Sequence, residues 1–216
     1  MPDLSFRIEG AEAVHYAASP LLALKLRIGN VPAEEHIHAI MLRCQVQIEV
    51  TRRRYTAQDQ ARLTDLFGEP GRWNRTLRSM LWTHANALVP PFTGQTLIDL
   101  QLPCTYDFNV SAAKYFYALR DGEVPLCLLL SGTVFYKSGD GNLQVAQVPW
   151  EKEATYRMSI RVWQEVMDHY YPNSAWLSLQ KDAFDRLYRY KSARGLATWE
   201  QALDSLLSSI EESVPE

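Results

Sequence analysis

His36 and His38 are the only close pair of histidines in the sequence. Two residues apart on a strand, they would face one side, which is how a metal site begins. Cys44 has the right parity to join them. It lies six residues further on, however, roughly 20 Å along an extended chain and out of coordinating reach. Two ligands do not make a site, so no metal and no cofactor is expected. Tyr106-Asp107-Phe108 sets an acid between two aromatics at the end of an apolar stretch. A carboxyl held there could work as a perturbed acid, with His84 or His169 as its proton partner, or it could cap the helix that follows. His84, Tyr106 and Asp107 are the candidate polar site.

Other clusters carry less chemistry. Arg52-Arg53-Arg54-Tyr55 could hold phosphate or RNA, but it is a short run in a chain of net charge −3. It reads as a solvated strand end or a contact for an acidic partner, and nucleic-acid binding is not expected. Glu34-Glu35 and Glu151-Lys152-Glu153 are adjacent loop carboxylates, not the facing pair that acid–base hydrolysis requires. Ser131-Gly132 lacks the first glycine of a nucleophile elbow, since Leu129 stands there. Gly-rich phosphate loops and H-E-x-x-H are absent. No catalytic residue is nominated, and the chain is read as non-enzymatic.

The aromatic inventory points elsewhere. Trp82, Phe92, Trp150, Trp163, Trp176 and Trp199 fall mostly at element ends or in loops, and Val89-Pro90-Pro91-Phe92 reads as an apolar loop tip. Large aromatics in such places either lid the core or anchor a partner. Trp82, Phe92 and Trp150 are the candidate partner-binding residues.

The elements that must position these residues follow from periodicity. Alternation marks strands at Leu4–Ile8, Leu22–Ile28, Ile40–Val50 and Ile98–Leu102. The third is the longest, with Arg43, Gln45, Gln47 and Glu49 on its polar face. Thr56 to Asp59 resembles a capping sequence for a helix ending near Gly68. Trp73, Leu77, Met80, Leu81 and His84 fall at helical spacing, so about 56–92 reads as a helical insertion. A short helix over 111–120 follows. Gly122 to Trp150 reads as a hairpin at the centre of the fold, turning at Ser138–Asn142. After a short strand at Thr155–Ser159, helices are predicted over about 160–170, 180–194 and 199–212, the last with a Thr198/Gln201 capping box. Strand runs followed by helix runs give an α+β class: an antiparallel β-sandwich-like core of about seven strands, a helical insertion and C-terminal helices.

At 216 residues, the chain fits a single domain, 1–216, with the region 160–212 packed on the sheet. A content of 47% hydrophobic and 22% charged residues excludes a disordered chain. No apolar run approaches the roughly 20 residues of a membrane helix, and MPDLSFRIEG has no secretory pattern. The expectation is a cytoplasmic protein without membrane insertion. Cys44, Cys104 and Cys127 lie in apolar or strand-like stretches and form no C-x-x-C pair, as fits reduced, packed thiols.

The segments RCQVQIE, DLFGEP, LWTHA, PFTG, PCTYDF, AAKYFYAL, DGEVPL, SGTVFY and QVPW, with the Trp163–Pro172 run, cover nearly the whole chain. On these the sequence resembles an uncharacterised bacterial family, a domain of unknown function, associated with actinobacterial gene clusters that also encode nickel–iron hydrogenases. The resemblance implies an accessory or maturation role, with a hydrogenase subunit or maturation factor as partner. It transfers no catalytic residue. Three scattered cysteines cannot supply a four-thiolate cluster. The functional expectation is therefore a non-enzymatic, protein-binding accessory protein. The alternative is a small-molecule or lipid binder with a pocket between the sheet and the helical insertion.

Overall fold

The computed structural model describes residues 2–105, 110–139, 141–175 and 177–211. Their contacts group into two compact units, Met1–Ser174 and Ala175–Glu216, where the sequence alone reads as one domain.

Two antiparallel sheets build the first unit. The first sheet runs in the order β1 (Asp3–Val14), β2 (Leu21–Val31), β6 (Gln95–Pro103). In the second, β4 (Met80–Val89) pairs with β3 (His36–Ile48), which pairs with β7 (Glu123–Lys137). On its other side β7 takes two partners in succession: β9 (Glu153–Ser159) along its first half and β8 (Leu143–Gln147) along its second. A two-residue strand β5 (Phe92–Thr93) extends the β4 side of β3. Beyond it the chain turns at Gly94, whose φ of 72° suits glycine, and enters β6 in the other sheet. The backbone N–H of Asn30 donates to the Gly94 carbonyl at 2.8 Å and fixes that corner. Nine strands and six α-helices are found among the described residues. The sheets pack face to face, so the α+β, sandwich-like expectation holds.

Alternation makes the core. Leu22, Leu24, Leu26 and Ile28 of β2 point to one side, as do Ile40, Leu42, Cys44, Val46 and Ile48 of β3 and Leu126, Leu128 and Leu130 of β7. All are buried, and each large aliphatic among them contributes about 1.5–3 kcal/mol by leaving water. Helices close the remaining apolar surface. Helix α1 (Ala57–Phe67) carries the expected capping box, with Thr56 and Asp59 bonded reciprocally at 3.1 Å. It packs against α3 (Val110–Ala118), and α4 (Ile160–Tyr170) packs on β1, β2 and β9. Phe116 of α3 lies between Trp82 of β4 and Trp163 of α4, with ring centroids 4.8 and 5.3 Å away. The Tyr170 hydroxyl donates to the Val14 carbonyl at 2.8 Å and accepts the Ala17 N–H at 3.0 Å.

The helical reading of residues 73–84 is corrected. Helix α2 covers only Trp73–Thr76, and Met80–Val89 is strand β4. A bulge explains the misreading. Val46 faces Thr83 and Gln47 faces Leu81, so Trp82 is an extra residue in β4. Trp82 and Thr83 are both buried, and the period of two is lost where it would have been diagnostic. The helical part of the 56–92 insertion therefore ends at Thr76.

The second unit contains α5 (Lys181–Ala193) and α6 (Trp199–Glu211). The predicted capping box forms, with the Gln201 N–H donating to Thr198 Oγ1 at 3.2 Å. Tyr190 and Ser205 hydroxyls meet at 2.8 Å, and Phe184 and Tyr188 pack on the Trp199 ring. Helix α4 belongs to the same unit as the two sheets.

Two predictions test this architecture. Glu9, the bulged residue between Ile8 and Gly10, bonds first to Arg27 and then to Arg7, and these guanidiniums lower its carboxyl to about 2. A lowered carboxyl stabilises the fold above its ordinary pKa and loses that contribution as pH falls through the folded value. Glu9→Gln should lower the urea midpoint at about pH 7, and the difference from wild type should vanish near about pH 2. Gly132 sits against β3 at φ 152°, and a Cβ there would run into the Met41 carbonyl oxygen. Gly132→Ala should cost about 1–3 kcal/mol or more in urea unfolding.

Candidate functional site

The second sheet's inner face is core, and its outer face is open. From Met41 to Gln47 of β3, and at Leu129 and Ser131 of β7, the odd-numbered residues point outward. Arg43 stands in one rung with Asn86 of β4 and Ser131 of β7, and Gln45 in the next with His84 and Leu129. These side chains floor a hollow of about 280 Å³, and Trp150 forms its wall.

The placement of Trp150 comes from the change of partner on β7. Between β8 and β9 the chain leaves the ladder for Val148–Lys152. It is held at one end by the Val148 N–H donating to the Gly132 carbonyl at 2.9 Å, and at the other by the Leu130 N–H donating to the Lys152 carbonyl at 3.0 Å. Inside this loop the Lys152 N–H donates back to the Pro149 carbonyl at 3.1 Å, closing a tight turn. Lys152 Nζ also reaches Asp3 Oδ1 at 2.6 Å. The turn is thus pinned to both sheets while its indole stands out in water, 89% exposed.

The remaining candidates fall in different places. Trp82 is 2% exposed and Phe92 8% exposed, both inside the core. Neither offers surface to a partner, which corrects their reading as partner-binding residues: Trp82 is turned inward by the β4 bulge, and Phe92 by its pairing with Ile37. The apolar loop tip is a strand corner, since Val89 is buried too. His84 lies on the outer face and shares the hollow with Trp150. Tyr106 and Asp107 lie outside the described residues, as does Trp176. His169 does not border the hollow; its Nε2 bonds the His15 carbonyl at 2.8 Å just beyond β1. His36 and His38 stack edge to face, centroids 4.8 Å apart, and His36 Nδ1 meets Thr93 Oγ1 at 3.2 Å. Among the described residues no three His, Cys, Asp or Glu side chains converge as a metal site would need.

The arginine run has a different role from the one its sequence suggests. The Arg53 side chain is buried and donates to the carbonyls of Glu123 and Asp121, both at 2.6 Å. It lies 3.9 Å from Asp59 Oδ2 and faces the Tyr55 ring at 6.0 Å. Gly122, at φ 89°, leaves room for the guanidinium. Arg53 therefore clamps the turn before β7 onto the start of α1 and is no solvated strand end.

The thiols are free and buried. Burial pushes Cys44 and Cys104 up to about 12. Burial first, and then the carboxylate of Glu153, also raises Cys127. None is poised as a nucleophile. No hydrogen bond joins Ser131 to His84 among the described residues, and the two stand in different rungs on strands separated by β3. The hollow is therefore equipped to bind, with hydrogen-bonding groups, one cation and one aromatic face.

The model of a family of unknown function, DUF6084, matches residues 1–215. The chain belongs to that family. No curated protein matches it. No helix among the described residues of this DUF6084 chain is long and apolar enough to cross a membrane.

Arg43, Gln45, Asn86 and Ser131 were not nominated from the sequence. The signal for the first two was the clean alternation of β3, which places them on the polar face. Asn86 was hidden by the β4 bulge, and Ser131 by the apolar run around it.

The two tryptophans should separate cleanly. Trp82→Ala is expected to destabilise the protein by about 3–5 kcal/mol. Trp150→Ala, an exposed truncation, should stay within about 0.5 kcal/mol of wild type. Chemical denaturation measures both.

Proposed function

We propose that this protein is a non-enzymatic binding module that captures a protein partner on the outer face of its second sheet, with Trp150 as the anchor. The single observation that supports this reading is an indole held fully in water on a turn pinned at both ends. A rigid exposed tryptophan loses little entropy on docking and is the residue type most enriched among interface hot spots. Around it the outer face carries Met41 at 58% exposure and Leu88 at 73%, with Leu143 and Val145 of β8 also exposed.

The first sheet shows what an outer face looks like when it is finished with solvent. There Glu9 pairs with Arg27, and Lys25 reaches both Glu12 and Asp99 across three strands. The second sheet leaves Arg43 without a carboxylate among the described residues and its aliphatic side chains uncovered. An exposed apolar surface of this kind, around an arginine and a tryptophan, suits a protein contact.

The family resemblance supplies the first partners to try: a nickel–iron hydrogenase subunit or maturation factor, in the cytoplasm of a bacterium. The test is quantitative capture of such a partner by the full chain, compared with Trp150→Ala. Truncation should weaken capture by about tenfold or more, equivalent to about 1–2 kcal/mol, with the melting curve unchanged. Equal retention by both proteins would overturn the reading.

A further inference from the structure

We infer that the hollow beside Trp150 is a binding site for a small, planar, singly charged carboxylate, an aryl or heteroaryl acid of metabolite size. This goes beyond partner capture and needs no partner.

Charge points to the anion. Arg43 sits at the centre of the floor, and its cross-strand neighbours, Asn86 and Ser131, are neutral. No salt bridge to a described residue neutralises it. A guanidinium with neutral donors on both sides presents the fork that a carboxylate accepts bidentately. The nearby acids do not occupy this position. Glu151 is on the turn, and Glu153 faces Leu129 and takes a long contact of 3.8 Å from the Cys127 thiol.

The hydrogen-bonding groups around the hollow are solvent-facing and uncommitted to the fold, so a ligand can take them up without breaking a structural network. The side chains of Arg43, Gln45, His84, Asn86 and Ser131 all border the hollow, and none makes a hydrogen bond to another described residue. On the first sheet, by contrast, Arg27 is engaged by Glu9 and Gln95. Convergent polar groups beside an apolar wall are the ordinary lining of a small-molecule site.

The walls and the size set the class. Trp150 offers an indole face and Leu129 an aliphatic patch, which suit a flat ring. A volume of about 280 Å³ falls just below the range typical of sites for drug-sized ligands. One arginine, with no lysine in the lining, balances one negative charge, so a carboxylate matches better than a phosphate dianion.

The test uses the purified full chain and titration calorimetry, with benzoate, 2-naphthoate and indole-3-acetate as probes. Their neutral amides and inorganic phosphate serve as comparisons. Saturable one-to-one binding of at least one acid is expected, with its amide weaker by about tenfold or more. Arg43→Gln should weaken the acid by a similar factor and leave the amide unchanged. Trp150→Ala should weaken both. Circular dichroism of each variant confirms the fold. No saturable binding of any acid, equal binding of acid and amide, or phosphate binding more tightly than the acids would each overturn the assignment.

Discussion

The contact between β3 and β7 at Gly132 is the constraint on which the rest depends. Here β7 lies so close to the Met41 carbonyl that only a hydrogen can stand where a side chain would. Backbone at this distance keeps the two longest strands of the second sheet in register from Ile40 to Ile48. It also marks the place where β7 exchanges β9 for β8. Between these two partners the edge must leave the ladder, and the five residues it sheds carry Trp150. Gly132 thus stands where a continuous inner face, a split outer edge and the turn that presents the indole meet.

The two outer faces of the sandwich show different solutions to exposure. On the first sheet, Arg7, Lys25 and Arg27 each have an acid in reach, Glu9 for the two arginines and Glu12 with Asp99 for the lysine. Individually such exposed pairs are worth little, but together they tie the three strands of that face to one another. On the second sheet, the same alternation delivers arginine, glutamine, asparagine, serine and histidine, and the one acid in the adjoining rung, Glu153, lies beyond Leu129 on β9 and makes no ion pair with Arg43. The fold itself does not need this arrangement, since the core is complete on the other side of the same strands. The helices settle the far end by another route. Aromatic rings from β4, α3 and α4 stack through Phe116, and the buried Tyr115 hydroxyl meets that of Tyr55 at 3.0 Å while Tyr55 donates to the Val50 carbonyl at 2.7 Å.

What could be read from the sequence followed from how local the cause was. The period of two in β3 survives intact from Ile40 to Ile48, so that strand and the direction of Arg43 and Gln45 were legible. The capping boxes at Thr56 and Thr198 involve residues three apart and were equally plain. The strand β4 was not, because a single inserted residue at Trp82 breaks the alternation and mimics helical spacing. Trp82 and Phe92 looked like surface anchors because sequence shows that an aromatic stands near an element's end, not which way it turns. Arg53 illustrates the converse case. Its carbonyl partners, Asp121 and Glu123, lie about seventy residues away, and nothing in a run of three arginines singles out the middle one for burial. The hollow needed three strands in register before its members could be seen together.

The buried thiols have a consequence of another kind. Burial raises Cys44 and Cys104 to about 12, so the reactive thiolate is scarce at neutral pH even before access is considered. An alkylating reagent therefore meets almost nothing to react with in the closed fold. Each labelling event at these positions reports an excursion that bared the seam between the sheets, Cys44 from the middle of the second sheet and Cys104 from the far end of the first. The molecule carries two internal clocks for its own breathing, and the ratio of their rates tells whether the sandwich opens as a whole or frays from one edge.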